Sequence, residues 1–144
     1  MMSKDEQVTK DILETLEDGK DGFTKGAEKL DGLDAASAGR FRELAAQRSS
    51  FADELQEMAK SYGDDPDRSG SITATLHRGW MSLKDALSKD SVDAIVETAQ
   101  QGDDHAIGEY EKALDDDVSA GLRTVLERQL NDIRAARASL VASG

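Results

Sequence analysis

The sequence predicts an all-α fold, a bundle of four long helices, and three observations carry that expectation. Seven residues, Phe41, Leu44, Arg48, Phe51, Leu55, Met58 and Tyr62, follow one another at alternating spacings of three and four. Such spacing is the seam of a long helix packed in a bundle. Similar apolar stripes recur along three further stretches of about 25 residues, each about 38 Å of helix. Ala, Leu, Glu, Asp, Lys and Arg dominate, with one Pro and 4% aromatics, which is helix-bundle composition. With 144 residues the chain is expected to form one domain, residues 1–144, with a core of its own.

The first helix is expected over residues 4–31, with Val8, Ile12, Leu16, Gly19, Phe23, Gly26 or Ala27, and Leu30 inward. Gly32 is placed to end it in the left-handed conformation. The second is expected over 35–62, closed by Gly63 and Pro66. After the break Gly63 to Ser71, a crossover helix over 71–88 carries Ile72, Leu76, Trp80, Leu83 and Leu87 on one face. Asp90 or Ser91 caps the third long helix, 91–114, with Val92, Ile95, Ala99, Ala106, Tyr110 and Ala113 inward. Asp115, Asp116 and Asp117 form a tight turn and set negative charge at the start of the last helix, 118–142. Its inward residues are Leu122, Val125, Gln129, Ile133, Ala136 and Leu140. Short loops make antiparallel hairpins, and the long middle segment leads us to expect the third helix parallel to the first.

A charged residue in the middle of an apolar seam is costly unless it is paired, so Arg48 calls for a partner. Folding the first helix onto the second about Leu33 and Asp34 sets Ile12 against Leu55, Leu16 against Phe51, Gly19 against Arg48, Phe23 against Leu44 and Gly26 against Phe41. Glycine inside a helix costs about 1 kcal/mol relative to alanine, so Gly19 and Gly26 read as space kept for large neighbours. Folding the last two helices about Asp116 sets Tyr110 against Leu122, Ala106 against Leu126 and Asp103 against Gln129. We therefore expect a polar layer at mid-bundle, Arg48 paired with Asp103, Gln129 completing the hydrogen bonds and Gly19 making room. A planar guanidinium suits a bidentate buried pairing. In the alternative, Arg48 snorkels to solvent and Gly102 faces inward in place of Asp103.

The stretches FRELAAQRSSFADEL (Phe41 to Leu55), LHRGWMSLKDAL (Leu76 to Leu87) and LERQLNDIRAA (Leu126 to Ala136) carry a resemblance to the ferritin-like superfamily. More narrowly, over about Lys10 to Leu140 the chain resembles a bacterial ferritin-like four-helix-bundle family of unknown function. The resemblance implies two antiparallel hairpins joined by a long crossover containing a short helix. Ferritin-like di-iron proteins place a Glu on each of two helices and a Glu-x-x-His on the others. That pattern would put Glu at Arg48 and His at Phe51, and it finds no Glu-x-x-His on the last helix. The ligand set is missing, so di-iron oxidase chemistry is not carried over.

Composition removes several other classes. There is no cysteine, which excludes disulfides and thiolate chemistry. A formal charge of −12 repels phosphate backbones, so no nucleic-acid partner is expected. No apolar run approaches the ~20 residues of a membrane span, and the first eleven residues lack an apolar signal core; a cytoplasmic location is expected. His105 and Glu109, four residues apart, form either a metal pair or a solvated helix face. An exposed Trp80 or Met81 could serve a homodimer contact. The leading reading is a non-enzymatic structural or interaction protein with no cofactor and an unidentified protein partner. The rival is a divergent metalloprotein holding iron or manganese with some of Glu17, Glu97, Asp103, His105 and Asp132. Small-molecule binding between the helices is a third class.

Overall fold

The computed structural model describes residues 3–64 and 79–141, and every regular element among them is an α-helix: α1 Lys4–Leu30, α2 Ala35–Ser61, α3 Leu83–Ser88, α4 Val92–Leu114 and α5 Ala120–Ser139. Side-chain caps set the starts of the long helices. Ser3 Oγ accepts the Glu6 N–H of α1, the Asp34 carboxylate that of Ala36 in α2, Ser91 Oγ that of Ala94 in α4 and Ser119 Oγ that of Leu122 in α5. Each cap satisfies an N–H that the helix itself cannot pair. No helix among the described residues is long and apolar enough to cross a membrane.

The helix ends differ from expectation in places with physical causes. Asp31 caps α1 in a right-handed conformation, and the Leu33 and Asp34 N–H groups donate to the Leu30 carbonyl at 2.9 and 2.8 Å. The chain thus turns without a left-handed Gly32. At the end of α2 the left-handed residue is present: Gly63 has φ +84°. Asp64 N–H donates to Ala59 O and Gly63 N–H to Lys60 O, both at 3.0 Å, the paired bonds of a Schellman ending. Because α2 stops at Ser61, Tyr62 leaves the seam and is 68% exposed. Of the expected crossover helix 71–88, the described residues hold α3, and the helix does not run through Gly79, whose φ of +77° cannot continue a right-handed helix; residues 71–78, with Ile72 and Leu76, lie outside the described residues. The last helix begins at Ala120 rather than 118 because Ser119 is its cap, and it ends at Ser139, where Leu140 turns to extended backbone.

In the packing, α1 lies along α2 and α4 along α5, α1 also rests on α4, α2 meets α5, and α3 sits against α4 and α1. Gly26 faces Ile95, while Ile12 shares a surface recess with Glu109 and Ala113. Helices α1 and α4 are therefore antiparallel, contrary to the expected parallel arrangement. A connection that carries the chain back to the end where α2 began launches α4 along the direction of α2, not α1.

The core has two parts. One gathers Ile12, Leu16, Phe51, Leu55, Tyr110 and Leu126; the other gathers Phe23, Leu30, Phe41, Trp80, Ile95 and Leu140. Each such large side chain contributes about 1.5–3 kcal/mol on burial. Between the two parts lies the level of Gly19, Arg48 and Asp103.

Candidate functional site

Arg48 reaches this level from the inward seam of α2 and Asp103 from that of α4. Their side chains are 1% and 0% exposed. Arg48 Nη1 donates to Asp103 Oδ1 at 2.5 Å and Nη2 to Oδ2 at 3.3 Å, a bidentate, charge-assisted pairing. Arg48 Nε donates to Gln47 Oε1 at 3.0 Å, and the guanidinium carbon stands 5.2 Å from the Phe23 ring centroid. A Cβ at position 19 would lie 3.6 Å from Arg48 Cγ and Nη1, so Gly19 forms the wall behind the guanidinium. Burial pushes the Asp103 carboxyl above the usual carboxylate range, and the Arg48 charge pulls against that push.

Gln129 is fully buried but does not complete this pair. Tyr110 Oη donates to Gln129 Oε1 at 2.7 Å, and Gln129 Nε2 donates to the Phe51 carbonyl at 3.2 Å and to Glu54 Oε1 at 2.9 Å. Glu54 in turn pairs with Arg128 at the surface. The connection between α4 and α5 spans residues 115–119, longer than a tight turn at the three aspartates, so Gln129 meets Tyr110 rather than Asp103. Burial raises the Tyr110 phenol far above its ordinary value, which keeps it a hydrogen-bond donor.

A third feature adjoins the pair through Gly102 and Phe23. Trp80 is 2% exposed and stands between Gly22 of α1 and Gly102 of α4. A Cβ at Gly22 would come within 2.5 Å of Trp80 Cε3, and one at Gly102 within 2.6 Å of Nε1, so alanine fits at neither position with the ring where it is. The indole meets Phe23 edge-on at 5.1 Å and 76°, and Phe23 meets Phe41 likewise at 5.1 Å and 88°. Trp80 is thus unavailable as a surface contact, whereas Met81 is 75% exposed. Gly79, at φ +77°, lies so close to α4 that a Cβ there would be 2.5 Å from that of His105.

The family model described as Domain of unknown function (DUF2383) matches residues 6–116. The chain belongs to this family. None of the curated proteins matches it. The part of the chain that the DUF2383 family model covers contains Gly22, Arg48, Trp80, Gly102 and Asp103, and it stops short of α5 and Gln129.

In this DUF2383 chain the five candidate metal ligands are dispersed. Glu17 is half-buried on α1 and pairs with Lys20 at 3.7 Å; burial, reinforced by the Glu17 charge, raises the nearby Asp21 carboxyl. Glu97 and Asp132 are exposed. His105 stands 3.9 Å from Glu109 on the same helix face, and Asp103 is held by Arg48. Among the described residues no three His, Cys, Asp or Glu side chains come together as a metal-holding group. Sequence reasoning missed the buried Asp18 on α1, which flanks the apolar stripe one position before Gly19. It also missed the roles of Gly22 and Gly102, whose signal was two helical glycines with no turn to explain them.

Proposed function

We propose that the chain is a non-enzymatic helical bundle of the ferritin-like kind, a structural or interaction protein in which a buried Arg48–Asp103 layer stands where di-iron relatives hold their metals. The observation that carries this reading is the Arg48 guanidinium, 1% exposed and bonded through two nitrogens to both Asp103 oxygens. A guanidinium stays protonated in proteins, and it engages both oxygens of the Asp103 carboxylate. A dication placed there would meet a fixed positive charge and a ligand already in use.

The fold supports the topological half of the reading, with two helical hairpins arranged so that α4 starts at the end where α2 began. The formal charge of −12 fits a soluble, cytoplasmic chain without a nucleic-acid partner. Metal analysis of protein purified without chelators tests the proposal. The expected result is no stoichiometric iron or manganese after dialysis; a retained equivalent of either overturns it.

A further inference from the structure

We propose that residues 79–90 form a releasable strap whose plug is Trp80, and that the glycine-walled slot it fills between α1 and α4 is a binding site for a planar aromatic group, occupied by the chain's own indole. The slot has backbone for its walls, at Gly22 and Gly102, and the Phe23 ring along one edge. Asp103 follows Gly102 directly, and Arg48 stands over Phe23, so the slot adjoins the buried ion pair. An ordinary core hole partly collapses when its occupant leaves, because neighbouring side chains swing in. Glycines have none to swing, and both walls belong to long helices, so this slot keeps its flat shape.

The strap is anchored by three buried side chains, Trp80, Leu83 and Ala86, with Leu87 packed beside them, while Met81, Lys84, Asp85, Ser88, Lys89 and Asp90 are exposed. Its helix has six residues, far below the length at which a helix holds itself together. Left-handed residues bound it on both sides, Gly79 at φ +77° and Asp90 at φ +51°, the latter a strained conformation for a residue with a side chain. The tie from Asp90 to Lys29 of α1 is exposed, and exposed ion pairs hold little. Segments with few buried contacts open before the core does. Withdrawal of the strap therefore clears the slot while α1, α2, α4 and α5 stay packed.

Trp80 is the single tryptophan, so its fluorescence follows the strap while far-ultraviolet circular dichroism follows the long helices. In urea, the full chain is expected to show a red shift of Trp80 emission and access by acrylamide at a lower midpoint than the loss of helicity. Coincident curves overturn the release. For the slot, the probe is indole added to the full chain carrying Trp80→Ala. Saturable binding that raises the melting temperature, and that is lost when Gly102→Ala is added, is the expected result. If Trp80→Ala is unfolded, indole is expected to restore the helical signal. No binding to the folded variant, no rescue of an unfolded one, or binding that survives Gly102→Ala overturns the site.

Discussion

Replacing Asp103 with alanine would remove both acceptors of a guanidinium that has almost no access to water. Arg48 would keep its bond to Gln47 and its place over the Phe23 ring, neither of which supplies a counter-charge. Hydrogen bonds to charged groups contribute about 1.5–3 kcal/mol each. The bond at 2.5 Å lies at the strong end and that at 3.3 Å at the weak end. Together with the stranded charge this predicts a loss of about 3–5 kcal/mol, a large part of the 5–15 kcal/mol typical of a domain. Asp103→Asn keeps one acceptor and should lose about 1.5–3 kcal/mol. The double variant Arg48→Met/Asp103→Leu removes both charges and is expected to be neutral or more stable by about 1–4 kcal/mol. Urea unfolding followed by circular dichroism, with the m-value held constant, gives all three. A loss below about 1 kcal/mol in Asp103→Ala would mean that Arg48 reaches water. A double variant as weak as the sum of its singles would mean that the two side chains are not coupled.

Further outcomes are expected at the glycines and at Tyr110. Gly22→Ala and Gly102→Ala each press a methyl into the Trp80 ring; overpacking costs about 1–3 kcal/mol against the ~1 kcal/mol gained in helix propensity. Thermal unfolding should show a net loss of up to about 2 kcal/mol, with altered Trp80 emission. Gly39 and Gly108 are exposed in α2 and α4 and a Cβ there meets nothing within 4 Å, so Gly39→Ala and Gly108→Ala should each stabilise by up to about 1 kcal/mol in the same assay. Because burial raises the Tyr110 phenol, the folded state keeps a proton that the unfolded chain releases above pH ~10. Fewer protons on the unfolded state means that stability falls as pH rises through that range and is fully present below it. In Tyr62→Phe protein, where Tyr110 is the remaining tyrosine, an alkaline ultraviolet titration should show phenolate only on unfolding; phenolate in the folded protein would contradict this.

Much of the fold was legible because it depends on local chemistry. Ser3, Asp34 and Ser91 cap helices where polar residues precede apolar stripes, and Gly63 closes α2 as its position predicts. The juxtapositions of Gly19 with Arg48 and of Gly26 with Phe41 follow from a short hairpin, which ties the numbering of one helix to that of the next. What was not legible depends on contacts between distant segments. Trp80 sits at helical spacing from Leu76, Leu83 and Leu87, yet the space between Gly22 and Gly102 sets its backbone, so periodicity wrote a helix through Gly79. Gln129 was misassigned by a few residues of loop, since the capping Ser119 lengthens a turn that three aspartates seemed to complete. The direction of α4 was a matter of topology, and reasoning through the path of the connection would have given it.

The division of the core has an evolutionary consequence. Leu16 and Phe23, on opposite sides of the charged level, are seven residues apart on α1, about 10 Å along the helix axis. Effects of substitutions separated by such distances add, while those in contact interact. Each half of the interior is therefore free to exchange aliphatic and aromatic residues without compensation from the other. Sequence drift in this protein should proceed in two compartments, with Gly19, Arg48 and Asp103 as the wall between them.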